Sequence, residues 1–103
     1  MLVYYDLWGN SLRLTDERVN HILEHPEMIN EMDKITDTLT APDYVIQSKS
    51  DNNVILFNKF YIMKQFGGKF LCVVVKYLEN DAFIVTSYIS KNLPKGDILW
   101  QKN

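Results

Sequence analysis

Two runs of β-branched and aromatic residues make up most of residues 70–90, and a polar break at Glu79, Asn80 and Asp81 separates them. This pattern predicts an antiparallel β-hairpin. The first run, FLCVVV from residue 70, is apolar at every position, so we expect its strand to be covered on both faces. Any fold open to this chain must therefore place other groups on both sides of the hairpin.

Lys76 follows the first run, and Thr86 lies within the second. Side chains alternate between the faces of a strand, so the length of the hairpin loop decides which residues share a face with Lys76. A three-residue loop places Lys76 with Thr86, whereas a two-residue loop at Asn80 and Asp81 places it with Ser87. One interpretation is a site where an amine and a hydroxyl converge. The other is a lysine at a strand end that extends to solvent.

Length and composition are those of one globular domain spanning residues 1–103, because 47% of the residues are hydrophobic and 23% are charged. The single cysteine, Cys72, lies within an apolar run and is expected to be buried and reduced. The first ten residues lack the basic and apolar regions of a signal peptide, and no stretch is long enough to span a membrane. We therefore expect a cytoplasmic protein that has no membrane partner.

Charge is unevenly distributed along the chain, although the net charge is only −2. Residues 1–48 carry three basic and nine acidic side chains, whereas residues 49–103 carry eight lysines and four acidic side chains. The strand-rich part is thus the basic part, which is compatible with a sheet surface that binds phosphate. A solvated lysine face is the other interpretation.

The N-terminal patterns predict a small hairpin followed by two helices. Gly9-Asn10 suits a tight turn between two short strands. Thr15 is suited to be the N-cap of a helix that Pro26 ends, because the residue before a proline is disfavoured in helical conformation. Residues 28–39 have apolar side chains at the spacing of a second amphipathic helix.

The C-terminal patterns predict strands. Residues 44–48 and 54–66 have strand composition, residues 67–69 predict a turn into the central hairpin, and residues 97–100 predict a short edge strand. We therefore predict an α+β fold with two N-terminal helices packed on a four-stranded antiparallel sheet, preceded by a short β-hairpin.

Both histidines of the chain lie on the first helix. Arg18, His21 and His25 are spaced so that they share one side of it, and a histidine there could carry a proton at neutral pH. A histidine that stabilises the helix end is the alternative. The spacing His21-x-x-Glu24-His25 also matches that of inverted zinc metalloproteases, but two histidines require a third ligand and Pro26 interrupts the helix at once. We therefore predict neither a metal nor a cofactor.

Several short segments resemble the phage-type barnase-EndoU-colicin-RelE-like nucleases. They are LTDERVNHILEHPE at residues 14–27, TLTAPDYVIQS at 38–48, GKFLCVVVK at 68–76, FIVTSYIS at 83–90 and KGDILW at 95–100. Together these segments span nearly the whole chain. The resemblance implies two helices against a four-stranded antiparallel sheet and, in active members, a metal-independent ribonuclease.

The resemblance also implies active residues on the first helix, a central strand and a late strand, which here correspond to His21, Lys76 and Thr86. In this assignment His21 is the general acid or base, Lys76 binds the phosphate and Thr86 donates a hydrogen bond. The positions implied for substrate binding are His25, Lys59, Tyr61 and Ser90.

The implied function is RNA cleavage, on tRNA or ribosome-bound mRNA, with a small antitoxin protein as a second partner. The alternative is a catalytically silent interaction module whose sheet edge, or the region of Trp8 and Trp100, binds another protein. The net acidity departs from the basic character expected of a free RNA-cleaving enzyme. A nuclease requires His21, Lys76 and Thr86 on one side of a cleft, whereas a binding module does not.

Overall fold

The computed structural model describes all 103 residues and contains seven strands in one mixed sheet. The strands are β1 (Leu2–Tyr5), β2 (Ser11–Leu14), β3 (Tyr44–Ser48), β4 (Val54–Met63), β5 (Gly67–Leu78), β6 (Asp81–Ser90) and β7 (Gly96–Gln101). The α-helices are α1 (Asp16–Leu23) and α2 (Ile35–Thr40), and short 3₁₀ helices cover Pro26–Met28 and Met32–Lys34.

The prediction of two helices on a four-stranded antiparallel sheet is wrong. Strands make up 50% of the chain and helical residues 19%, and the sheet has the order β1-β2-β6-β5-β4-β3-β7. The opening hairpin does not stand apart, because Arg13 of β2 pairs in parallel with Phe83 of β6. At the other edge β7 pairs antiparallel with β3. These additions at both edges extend the central four strands to seven.

The opening hairpin forms, but its connection is longer than the tight turn predicted at Gly9-Asn10, because β1 ends at Tyr5 and Tyr5 pairs with Ser11. Gly9 has φ of +86°, a conformation that favours glycine. The side chain of Asp6 accepts hydrogen bonds from the backbone N–H groups of Trp8 and Asn10, at 2.9 and 2.8 Å, and one from the Asn10 amide group at 2.9 Å. A buried carboxylate thus satisfies the polar groups of this turn.

The central hairpin has a two-residue loop at Glu79 and Asn80, because Leu78 pairs with Asp81. A β-bulge at Val85 then shifts the register, so Val75 pairs with Ile84 but Val74 pairs with Thr86. An even loop alone would place Lys76 on the face of Ser87. The bulge reverses that alternation and places Lys76 on the face of Thr86.

The first helix begins at the predicted cap, where the side chain of Thr15 accepts a hydrogen bond from the backbone N–H of Arg18 at 3.2 Å. The predicted helix at residues 28–39 is wrong over its first half, which forms 3₁₀ turns instead. No side chain caps either of these turns or α2. This segment therefore has the apolar spacing of a helix but no N-cap residue at which a longer helix would begin. No helix is long and apolar enough to cross a membrane.

The turn expected at residues 67–69 lies earlier, since β4 ends at Met63 and β5 already begins at Gly67. Gly68 has a steric role within the strand. A Cβ atom there would lie 2.6 Å from Cζ of Phe60, so a side chain at this position would require that ring to move.

The two faces of the sheet bury different clusters. The helix face carries the main core, which includes Val45, Phe57 and Val73 together with Ile22 and Leu39 from the helices. The neighbouring residues along the same strands point the other way, and three of them form a smaller cluster on the opposite face. They are Ile46, Leu56 and Cys72.

Residues 91–95, the crossover segment, lead from β6 past three strands to β7. Leu93 of this segment packs against the smaller cluster, so the segment crosses the sheet on the side away from the helices. We call this side the crossover face. It provides the cover that the two-sided apolar pattern of β5 requires.

Candidate functional site

Three of the seven residues implied by the resemblance lie on the crossover face. Thr86 and Ser90 alternate with the helix-face residues Ser87 and Ile89, and they stand opposite Val74 and Phe70 of β5. Lys76 follows Val74 on the same side of β5 and is therefore a diagonal neighbour of Thr86. The amine and the hydroxyl thus share a face.

Lys76 is held in an ion pair at the rim of the crossover face. Its Nζ lies 3.2 Å from Oδ2 of Asp51, in the turn before β4. A hydrogen bond from the backbone N–H of Asn53, and then the Lys76 ammonium, hold the pKa of Asp51 below its usual value. Both charged side chains are about a third exposed, so solvent screens the pair and the ammonium stays accessible to a phosphate.

Two buried polar atoms on the crossover face have no hydrogen-bond partner, Oγ1 of Thr86 and Oδ1 of Asn58. Asn58 is fully buried and donates its amide N–H only to the backbone oxygen of Leu56, at 3.0 Å. A buried acceptor without a donor costs about 1–3 kcal/mol, so both atoms lower the stability of the folded chain.

A row of polar side chains crosses this face from β6 to β3. Tyr88 pairs with Cys72, Cys72 with Asn58, and Asn58 with Tyr44. Burial raises the pKa of the Cys72 thiol to about 12, and burial also raises the pKa of Tyr88, which lies within hydrogen-bonding reach of that thiol. At neutral pH the row is therefore uncharged and holds no thiolate nucleophile.

The two histidines lie on the other side of the sheet. Helix α1 packs on β6 through Ile22, which is in the helix-face core with Ile84. His21 is 45% exposed, with Nδ1 at 3.7 Å from Oε1 of Glu24, and its ring meets that of His25 edge to face at 6.1 Å. The two rings thus form a surface pair in which His21 is exposed and His25 is half-buried.

Lys59 and Tyr61 lie on the helix face near α2. The Lys59 ammonium donates to the backbone oxygen of Ala41 at 2.7 Å, which places a positive charge at the end of α2. The Tyr61 hydroxyl lies 3.0 Å from the Thr38 hydroxyl, and burial raises its pKa. Both side chains already have structural partners.

The structure thus separates the implied residues into three places, and it does not bring His21 together with Lys76 and Thr86. His21 and His25 lie beside β6, on α1 and just after it, whereas Lys59 and Tyr61 lie at α2 over β4. The cleft that a three-residue nuclease site requires is not formed.

The two sides of the molecule also differ in charge. Residues 15–41, which cover the helix face, carry seven acidic and two basic side chains. The crossover face and its rim carry four lysines and two carboxylates, namely Lys76, Lys91, Lys95 and Lys102 with Asp43 and Asp51. An anionic chain would therefore be repelled from the helices and attracted to the crossover face.

The sequence interpretation missed an aromatic group on the crossover face. The Phe60 and Phe70 rings meet edge to face at 5.4 Å between centroids, and Tyr44 meets Phe70 at 6.2 Å. Phe60 pairs with Phe70 because the β4–β5 turn covers residues 64–66, before the two glycines. The sequence does contain a signal for this pairing, because Phe60 and Phe70 lie the same number of residues before and after that turn.

No three His, Cys, Asp or Glu side chains come close enough together to hold a metal ion. Comparison with protein-family models, with curated proteins and with solved structures finds no match to this chain.

Proposed function

We propose that this protein is a ribonuclease-like RNA-binding domain that holds a single RNA strand on its crossover face. The observation that carries the proposal is the composition of this face, which combines exposed lysines with the exposed ring of Phe60 and the half-buried rings beside it. Lysines attract the phosphate backbone, and aromatic rings stack with unpaired bases. The acidic helices leave this face as the side that an RNA strand approaches.

The geometry supports binding better than cleavage. The resemblance assigns cleavage to His21, Lys76 and Thr86 acting together, and a sheet lies between the first residue and the other two. General acid–base chemistry requires hydrogen-bond reach of the reacting proton. RNA bound on the crossover face would be out of reach of His21.

The test is binding of a labelled single-stranded RNA of about eight nucleotides, a usual site size for such surfaces. We expect affinity to fall as salt rises, and Lys91→Gln and Lys102→Gln each to reduce the salt slope by about 0.7. Arg18→Gln removes a positive charge from the helix side and serves as the matched control. No binding at low salt, or the same slope loss for Arg18→Gln, would refute the proposal.

Thr86→Val tests whether the buried hydroxyl takes part in binding. The substitution removes a buried hydroxyl that has no partner in the protein, so stability should be unchanged or slightly raised. RNA affinity should be unchanged, because a strand on the surface does not reach the buried oxygen. A loss of affinity would show that the face opens when RNA binds.

Cleavage is tested in the same samples with EDTA present. We expect intact RNA with the wild-type protein and with folded His21→Ala and Lys76→Ala variants. Metal-independent cleavage that both substitutions abolish would instead establish the ribonuclease that the resemblance implies, and it would contradict the separation of these residues by the sheet.

A second candidate is a protein-interaction module, and the edge strand β1 favours it. Leu2, Val3 and Tyr5 are 50%, 53% and 57% exposed on a strand whose outer edge is unpaired. Natural edge strands usually carry charges that prevent pairing with another chain, and LVYY carries none. Val3→Lys should abolish capture of a small protein partner, such as an antitoxin, without weakening RNA binding.

A further inference from the structure

A cavity of about 320 Å³ opens at the end of the crossover face where β3 begins and β4 ends. Three aromatic rings form its apolar wall, and a carboxylate and a lysine lie at its rim. Its lining residues are Asp43, Tyr44, Phe60, Phe70, Lys102 and Asn103. The cavity is of the size and mixed character of small-ligand sites.

The Phe60 ring is held in place although it is 48% exposed. It lies against the backbone of Gly68, where a Cβ atom would come within 2.6 Å, and it meets Phe70 edge to face. A fixed aromatic surface that faces solvent offers a stacking partner at low entropic cost.

Asp43 is equally well fixed. Its backbone N–H donates to the backbone oxygen of Asn58 at 2.8 Å. Its backbone oxygen accepts from the backbone N–H of Lys102 at 2.9 Å. Oδ2 of its side chain accepts from the backbone N–H of Phe60 at 2.8 Å. The other carboxylate oxygen, Oδ1, accepts no hydrogen bond from the protein and remains available to a donor in the cavity.

We infer that this cavity binds a nucleobase that carries an exocyclic amino group. The base would stack on Phe60, its amino group would donate to Oδ1 of Asp43, and the Lys102 ammonium would lie near the adjoining phosphate. Carboxylates accept from the amino group of cytosine, and uracil has no such donor. The inference rests on the proposed function, since it places one base of the bound RNA strand.

The experiment compares the binding of short homopolymeric oligonucleotides of cytidine, adenosine and uridine. We expect the cytidine and adenosine oligonucleotides to bind about tenfold more tightly than the uridine oligonucleotide. Asp43→Asn should remove most of this preference, whereas Asp37→Asn, an equal loss of negative charge at an exposed position of α2, should leave it unchanged.

The stacking contact is tested on the same strand. Phe60→Leu should weaken binding of all three oligonucleotides about tenfold, because base stacking on an aromatic ring contributes about 1–3 kcal/mol. Ile62→Ala removes an apolar side chain that is 86% exposed on the same face of β4, and it should have no effect. Circular dichroism and urea unfolding of each variant confirm that it is folded.

The outcomes separate the two proposals. Tight oligonucleotide binding that neither Phe60→Leu nor Asp43→Asn changes would overturn the base pocket and leave the RNA-binding function standing. Binding that depends on Phe60 without discrimination between cytidine and uridine would overturn the role of Asp43. Failure of all oligonucleotides to bind the wild-type protein would overturn the proposed function, and the pocket with it.

Discussion

The Tyr77 hydroxyl donates a hydrogen bond to Oδ2 of Asp6 at 2.8 Å and so joins the central hairpin to the opening hairpin. Asp6 is 3% exposed and no cation accompanies it, so its charge is stabilised by hydrogen bonds alone. Burial, and then this hydrogen bond, raise the pKa of Tyr77. The contact fixes where the opening hairpin packs.

We expect Tyr77→Phe to lower the free energy of unfolding by about 1.5 kcal/mol, the lower end for a hydrogen bond to a charged group. Asp6 keeps its three other donors, which limits the loss. Urea unfolding measures the change. Tyr5→Phe, at an exposed position, is the control and should change stability by less than about 0.5 kcal/mol. Equal effects of the two substitutions would contradict the role of this contact.

Gly96 should tolerate substitution less well than Gly9. A Cβ at Gly96 would lie 2.1 Å from the backbone oxygen of Gln47, where φ is +154°, whereas Gly9 has φ of +86° and open space. We expect Gly96→Ala to cost about 3 kcal/mol and Gly9→Ala about 1 kcal/mol. Thermal unfolding of both variants, followed by circular dichroism, checks this order. The reverse order would show that β7 does not approach β3 so closely.

Acid should weaken the contact between Arg13 and Asp81. The guanidinium donates three hydrogen bonds to the carboxylate, at 3.0, 3.2 and 2.7 Å, and thereby holds the pKa of Asp81 below its ordinary value of 3.8. A lowered pKa means that the stabilisation is present above pH 3.8 and is lost as the pH falls below it.

Arg13→Gln should therefore reduce the urea midpoint at neutral pH but have a smaller effect in acid. The measurement is urea unfolding of wild-type and variant proteins over a series of pH values. Arg18→Gln, which removes the same charge from α1, should show no such dependence. An Arg13→Gln effect that is constant with pH would mean that the ion pair contributes nothing to stability.

Cys72 should resist thiol reagents in the folded protein. Reagents attack the thiolate, and burial raises the pKa of this thiol to about 12 from an ordinary value of 9.0. Its protonated form therefore contributes stability that is intact below pH 9.0 and declines as the pH rises toward 12.

We expect Leu93→Ala to increase the rate of Cys72 labelling in mild alkali about tenfold, because Leu93 packs against the cluster that contains the thiol. Leu99→Ala, on an exposed part of β7, is the control and should leave the rate unchanged. If the labelling rates of all three proteins follow only their free energies of unfolding, the crossover segment does not open on its own.

Much of the local structure follows from the sequence. The opening hairpin, the Thr15 cap, the strand at residues 44–48 and the central hairpin each carry a local signal, and all four form. The seven-stranded arrangement carries no such signal. The parallel pairing of Arg13 with Phe83 joins residues that are far apart in the chain, and no turn or spacing indicates it.

The candidate site was predicted only in part, and the reason lies in register. The two-residue loop at Glu79 and Asn80 alone would place Lys76 on the face of Ser87. The bulge at Val85 places Lys76 on the face of Thr86 instead. No residue type marks that bulge. Asp43, Phe60 and Phe70 come together only once the turn before Gly67 is known, so residue patterns alone could not identify the cavity.

The order of strands also has a consequence for how the chain folds. Strands β3 to β6 join neighbours through hairpins, and such local contacts form fast, whereas β2 with β6 and β3 with β7 must each close a long loop first. We therefore expect the middle of the sheet to form first and its two borders last. In the interval β3 and β6 are themselves unpaired borders, and residues 44–48 and 81–90 are then the segments most exposed to aggregation.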